Sequence, residues 1–130
     1  MKKTLLALAF VAMTPATAAL AQDVDAGKAV FNQCRACHAV GEGAKNQVGP
    51  VLNGVIGRKS GSVEGFKYSE AMAGANKVWD EATFAAYMEN PKAYIPGNKM
   101  IYAGLKDEQK VKDLTAFLKQ YAADGKIAAK

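Results

Sequence analysis

The sequence predicts an all-α fold with three main helices, joined by short helical turns and long loops. Apolar residues recur at helical spacing in three segments, and each segment follows an aspartate that could cap a helix. No segment alternates apolar and polar residues in the way a half-buried strand does. The longest connecting stretch, residues 40–62, is rich in glycine, polar and basic residues, which is typical of loops.

The first helix is expected to run toward Cys37, with either Asp23 or Asp25 as its N-terminal cap. Gly27 lies inside this helix, where glycine lowers helix stability. A close crossing with another helix would explain the glycine. The predicted apolar face consists of Val30, Phe31 and Cys34.

The second helix is expected to begin at Asp80 and to run to Glu89, where Pro91 stops it. Asp107 is expected to cap the third helix. Its apolar face consists of Val111, Leu114, Phe117, Leu118 and Tyr121. Residues 126–130 are expected to form a frayed tail.

The first 21 residues have the three parts of a secretory signal, which are a basic start, an apolar run and a small-x-small cleavage motif. Here these parts are Lys2-Lys3, residues 5–11 and Ala19-Leu20-Ala21. A membrane anchor is the weaker alternative, because the apolar run is short and Pro15 interrupts the residues after it. We therefore expect a periplasmic protein, cleaved after Ala21, whose single domain is residues 22–130.

The charge of the chain is modest. It has 17 basic and 12 acidic residues, and losing Lys2 and Lys3 with the signal would leave 15 against 12, a net charge of +3. A nucleic-acid-binding protein would carry a larger and more clustered positive charge. No segment beyond the signal is apolar enough for stable membrane insertion. These properties predict a protein that binds neither nucleic acid nor the bilayer core. We also expect it to be a monomer.

The chemistry is concentrated in Cys34-Arg35-Ala36-Cys37-His38, which contains every cysteine and the one histidine of the chain. C-x-x-C-H is the attachment signature of haem c. Two thiols about one helical turn apart can add to two vinyl groups of the porphyrin, and the adjacent imidazole can then bind the iron. The motif therefore predicts one covalent haem per chain.

Three other interpretations of the motif are weaker. A thioredoxin-like redox pair requires a preceding strand, whereas the preceding segment has a helical pattern. A structural zinc site requires four ligands, and the chain has only these three cysteine and histidine side chains. A plain disulfide would leave His38 unexplained.

The second axial ligand must come from a residue other than histidine. Met88 falls in an apolar helical pattern and Met72 in a short helical turn, so both are expected to pack in the core. Met100 follows Ile95-Pro96-Gly97-Asn98-Lys99, a loop that could present its thioether inward. The loop favours Met100, and ligation by histidine and methionine raises the reduction potential.

With these motifs in place, the chain resembles the class I c-type cytochromes, in particular the bacterial cytochrome c2 and c-550 type that is similar to mitochondrial cytochrome c. The resemblance extends from Gly27 to about Tyr121. Besides the haem motif, its landmarks are Val48-Gly49-Pro50, residues 57–61, residues 65–69, Trp79, Glu89-Asn90-Pro91 and residues 94–104. It implies the compact cytochrome c fold, in which helices and loops wrap around the haem.

The resemblance also implies individual roles. Cys34 and Cys37 would be the thioether anchors, and His38 and Met100 the axial ligands. The remaining haem-environment residues would be Pro50, accepting the imidazole N–H; Tyr68 and Trp79, bonded to a propionate, with Arg58 nearby; Tyr87, beside the methionine sulfur; and Asn98, where relatives usually have threonine. Met72 replaces a usual asparagine.

The implied function is one-electron transport rather than catalysis, because protein ligands would fill both axial positions of the iron. The expected partners are membrane redox complexes. The protein would accept electrons from a bc1-type complex and deliver them to a photosynthetic reaction centre or a terminal oxidase. Contacts would be transient and electrostatically steered, through Lys45, Lys92, Lys99 and Lys106 around the haem edge. A haem peroxidase or a ligand-binding haem sensor is the alternative, and either would require an open iron position.

Overall fold

The computed structural model describes residues 21–128 and contains five helices. They are α1 (Val24–Phe31), α2 (Glu70–Ala73), α3 (Glu81–Glu89), α4 (Pro91–Tyr94) and α5 (Glu108–Lys119). The three longer helices are the predicted ones, and α2 and α4 are single helical turns. Across residues 21–128, extended pairing is limited to two isolated antiparallel bridges, Lys59 with Val78 and Tyr121 with Ile127. The predicted all-α class is confirmed.

A polar side chain begins each helix. The side-chain oxygen of each N-cap residue accepts a hydrogen bond from the backbone N–H three residues later, which satisfies a donor that the helix itself leaves free. The caps are Asp23, Ser69, Asp80, Asn90 and Asp107. Asp23 rather than Asp25 therefore caps α1.

Helices α1 and α5 lie in direct contact although they come from opposite ends of the chain. A Cβ atom placed on Gly27 would lie 1.9 Å from the backbone oxygen of Asp113. Beside this crossing, the rings of Phe31 and Phe117 have centroids 5.2 Å apart. Glycine is required at position 27 because any side chain would push the two helices apart, which is the explanation that the sequence suggested.

Two details differ from the sequence prediction. Helix α1 ends at Phe31, and the chain reaches Cys37 through tighter turns. The expected frayed tail is wrong as far as residue 128, because the Ala128 N–H donates to the Gln120 carbonyl over 2.7 Å and folds the segment back on α5. The short sequence of this segment, Lys126-Ile127-Ala128, gave no sign of that return. Residues 129–130 lie outside the described part.

The fold places long loops around a small helical core. Its buried apolar side chains form one cluster, in which Leu114 and Leu118 of α5 are each only 1% exposed. The two longest loops of the described part are the chain between α1 and α2 and the chain between α4 and α5. None of the helices within residues 21–128 has the length and apolar character needed to cross a membrane. The proposed signal, residues 1–21, falls almost entirely outside the described residues.

Candidate cofactor site

A cavity of about 360 Å³ lies between the α1–α5 pair and the loops. Its floor is apolar and includes Phe31 of α1 and Leu114 and Leu118 of α5. Most of its lining is aliphatic or aromatic, with a few polar groups that converge on it. These are the size and composition of a cofactor pocket rather than of a packing defect.

The haem-attachment motif forms part of the wall of this cavity. Cys34, Cys37 and His38 all line it, and both cysteines are free thiols. The Cys37 and His38 N–H groups both donate to the Cys34 carbonyl, over 3.1 and 2.9 Å. This tight turn brings the three side chains to one cavity, as covalent attachment and axial ligation require.

A backbone carbonyl fixes the orientation of the His38 ring. Nδ1 of His38 donates to the Pro50 carbonyl over 2.7 Å, so Nε2 keeps its lone pair for a metal. Burial lowers the pKa of His38; the Pro50 bond opposes this effect, and the charge of Arg58 adds to it. The lowered pKa favours the neutral imidazole, which is the form that binds iron.

Gly49 supports the same ring by leaving room for it. A Cβ atom on Gly49 would lie 2.3 Å from Cε1 of His38 and 2.7 Å from its Nδ1. The Gly49 N–H donates to the Cys37 carbonyl over 2.8 Å, which holds this backbone against the motif. From the sequence alone Gly49 was only a landmark, because a close approach between distant segments leaves no signal in a single sequence.

Met100 enters the cavity from the loop between α4 and α5. The Tyr87 hydroxyl donates to its sulfur over 3.8 Å, and the Met100 N–H donates to Oδ1 of Asn98 over 3.0 Å. Burial raises the pKa of Tyr87 to about 12, so its hydroxyl remains a donor at all ordinary pH values. The other two thioethers, Met72 and Met88, also line the cavity.

Asn98 lines the cavity, but its amide bonds to the backbone of its own loop. Nδ2 of Asn98 donates to the carbonyls of Pro91 and Ile95, each over 2.8 Å, while Oδ1 accepts from Met100. These three bonds occupy the groups with which Asn98 could contact a cofactor. In this structure Asn98 shapes the loop that presents Met100.

Arg58 provides the sharpest test of whether the cavity fits a haem. Its Nη1 donates to the Val51 and Asn53 carbonyls over 3.1 and 2.8 Å, which fixes the guanidinium. Its Nε atom is buried and has no hydrogen-bond partner among the described residues. Burial lowers the pKa of Arg58, because its charge is poorly solvated. A partly buried cation on the lining of a mostly apolar cavity fits an acidic cofactor such as haem, whose propionates are anionic.

The remaining predicted haem-environment residues also line the cavity. Tyr68 accepts a hydrogen bond from the Val63 N–H over 3.1 Å through its hydroxyl, which leaves the hydroxyl proton for another acceptor. Trp79 is buried beside Tyr87, with ring centroids 4.9 Å apart. The backbone N–H of Trp79 donates to the Arg58 carbonyl over 2.9 Å, so a main-chain hydrogen bond connects these two positions.

The four predicted docking lysines are all exposed, but they do not occupy equivalent places. Lys99 lines the cavity, next to Met100. Lys45 and Lys92 lie on the surface outside the lining, and the Lys106 ammonium donates to the Glu89 carbonyl over 2.5 Å. Two apolar side chains also lie exposed at the cavity, Val48 at 78% and Ile101 at 98%.

The cavity therefore contains the groups that a covalent haem requires: two thiols, an oriented imidazole, a thioether and a partly buried guanidinium. A metal held by protein alone fits less well. Among residues 21–128 no three histidine, cysteine, aspartate or glutamate side chains cluster as metal ligands would.

Comparison with known proteins agrees with a site for a covalent haem. The family model described as cytochrome c matches residues 24–122. A cytochrome c2 from Blastochloris viridis is 54% identical over 125 residues, covering 96% of this chain and 98% of the relative. A cytochrome c-550 from Nitrobacter winogradskyi is 51% identical over 108 residues, covering 83% of this chain and 99% of the relative.

Among solved structures, cytochrome cH from Methylobacterium extorquens superposes with a TM-score of 0.72 at 39% sequence identity. The match covers 75% of this chain and 98% of that structure.

Proposed function

Because the chain belongs to the cytochrome c family, as a bacterial electron-transfer protein with one covalent haem c and not an enzyme, we propose that it shuttles electrons between membrane redox complexes, with His38 and Met100 as the axial ligands. The observation that carries the proposal is the convergence of Cys34, Cys37, His38 and Met100 on one cavity.

The supports of the two ligands favour electron transfer over substrate chemistry. The haem supplies a one-electron iron couple when bound. His38 is held by Pro50, and Met100 by Tyr87 and its own loop, so the two side chains that would bind the iron have independent anchors. A filled coordination sphere excludes substrate, and rigid ligands change little between oxidation states. This combination suits a carrier.

The polar groups of the cavity are proposed to hold the propionates. Arg58 offers its positive charge on the cavity lining, and Tyr68 offers a hydroxyl proton. Trp79 completes this group on the same lining. A buried carboxylate is stable only when it is paired and hydrogen-bonded, and these donors would provide that pairing.

The proposed setting is the periplasm, as a soluble monomer. The support is the N-terminal pattern that ends at Ala19-Leu20-Ala21, which would leave Gln22 as the first residue of the mature chain.

One preparation tests setting and function together. Mass spectrometry of the native protein should give the mass of residues 22–130 plus one haem. A spectroscopic redox titration should then follow a single one-electron step, with a slope of about 59 mV per decade. Retention of Met1 in the membrane fraction would contradict the soluble shuttle. An iron that binds added ligands as fast as a five-coordinate haem does would favour the peroxidase or sensor instead.

The exposed lysines are proposed to steer the cavity mouth toward acidic partners. Exposed charges raise association rates and are screened beyond about 8 Å at physiological ionic strength. Changing Lys92 and Lys99 to glutamate should slow bimolecular electron transfer to the physiological oxidant by roughly tenfold at low salt. The reduction potential should remain nearly unchanged, and added salt should slow the wild type.

Lys126→Glu is the control for Lys99→Glu alone, since each variant reverses one exposed charge and only Lys99 lines the cavity. Lys126→Glu should leave the rate close to that of the wild type. Equal decreases in the electron-transfer rate at both surfaces, or a second-order rate that does not change with salt, would contradict docking through these lysines. Lys130, the other terminal lysine, lies outside the described residues.

A further inference from the structure

The segment that carries Met100, residues 98–105, is fixed firmly at its two ends; we call it the Met100 loop. At its start, the Asn98 side chain donates to the Pro91 and Ile95 carbonyls and accepts from the Met100 N–H. These bonds fasten the beginning of the loop to α4.

The far end of the loop is fastened to α3. The Leu105 N–H donates to the Met88 carbonyl over 2.8 Å. A Cβ atom on Gly104 would lie 2.2 Å from the Glu89 carbonyl oxygen, so the two backbones are in direct contact. Only the middle of the loop, residues 101–103, is free of these anchors.

A single side-chain hydrogen bond holds the middle of the loop. The Tyr102 hydroxyl donates to Oε1 of Gln33 over 3.2 Å, joining positions 69 residues apart in sequence. Gln33 directly precedes Cys34, and both Tyr102 and Gln33 line the cavity. Ile101 beside them is 98% exposed and adds no anchor. The bond therefore connects the Met100 loop to the haem-attachment segment.

We propose that Tyr102 and Gln33 form a latch that holds the Met100 loop closed and so slows the departure of the Met100 thioether from the iron. This inference rests on the proposed ligation by His38 and Met100. Tyr102 and Gln33 act through loop position and are not themselves ligands. Their function is to keep the coordination sphere filled, which is what separates a carrier from a haem that binds outside ligands.

The expected effect is moderate, because the hydrogen bond is exposed and water competes for both groups. A hydrogen bond of ordinary net strength changes an equilibrium by roughly two- to tenfold. The ring of Tyr102 also packs against the core cluster. Test variants must therefore remove the hydroxyl and keep the ring.

Ligand exchange on the ferric holoprotein measures the latch directly, with imidazole as the probe. At high imidazole concentration, the observed rate reaches the rate at which the thioether leaves. Tyr102→Phe and Gln33→Ala should each raise this limiting rate by roughly two- to tenfold. The double variant should match the single variants, because both remove the same bond. Gln33→Glu keeps an acceptor and should retain the slow rate.

Tyr121→Phe is the control, since it removes a tyrosine hydroxyl from a residue that packs on Phe117 outside the cavity lining. It should leave the limiting rate unchanged. Wild-type rates in Tyr102→Phe, or additive effects in the double variant, would overturn the latch while leaving Met100 as ligand. If Met100→Ala exchanged imidazole at the wild-type rate, Met100 would not be the ligand, and the proposed ligation would fail together with the latch.

Discussion

Replacing Met100 by alanine should leave the haem attached to the chain but lower its reduction potential by on the order of a few tenths of a volt, because axial ligands set haem potentials over a span of about 0.8 V. Cys34 and Cys37 remain in this variant, so attachment is preserved. Loss of the thioether should also remove the long-wavelength ferric absorption band of methionine-ligated haem and open the iron to small ligands. A spectroscopic redox titration measures both changes.

The other two cavity methionines are the matched controls. Met72→Leu and Met88→Leu keep an apolar side chain of similar volume, a change that usually costs less than about 1.5 kcal/mol. Both variants should keep the band. If Met100→Ala kept the wild-type band and potential while one of these controls lost them, the ligand would be that other methionine.

Replacing Gly49 by alanine should be among the most damaging single-methyl changes in the chain. The added Cβ would lie 2.3 Å from Cε1 of His38, so the ring or the loop must move. Overpacking typically costs about 1–3 kcal/mol, and the loss of the His38–Pro50 hydrogen bond adds about 1 kcal/mol. This total is a large part of the stability of a small domain, which is about 5–15 kcal/mol. Holoprotein yield and urea unfolding provide the measurement.

Gly74 supplies the control for this change. Its φ is −92°, which alanine adopts readily, and a Cβ atom there would lie 3.3 Å from the Glu70 carbonyl oxygen. Gly74→Ala should therefore change the midpoint of urea unfolding far less. Similar losses at Gly49 and Gly74 would indicate that backbone freedom, rather than contact with the His38 ring, determines the choice of glycine.

The sequence was sufficient for those parts of the fold that depend on local chemistry. Asp80 and Asp107 signalled the starts of α3 and α5, because an aspartate side chain can satisfy the free N–H groups of the helix after it. The haem motif was equally local, since its three reactive side chains lie within five consecutive residues.

Contacts between distant segments were beyond the reach of single-sequence patterns. The bond between Tyr102 and Gln33 joins residues whose types are common on any protein surface. The bonds of Asn98 to its own loop depend on how the backbone turns after α4. The return of residues 126–128 to the end of α5 was missed because backbone hydrogen bonds, rather than an apolar pattern, hold it.

The contact of α1 with α5 has a consequence for how the chain tolerates insertions. The contact between these helices closes a loop that contains nearly the whole domain. The free-energy cost of closing a flexible loop, which is entropic, rises only slowly with the length of the loop. Doubling the loop costs about 0.6 kcal/mol. Segments between the helices can therefore gain residues at little thermodynamic cost, provided that the anchors at Pro50, Arg58 and Asn98 keep their partners. Length variation among homologous chains is thus expected in the stretches between these anchors, with α1 and α5 nearly constant in length.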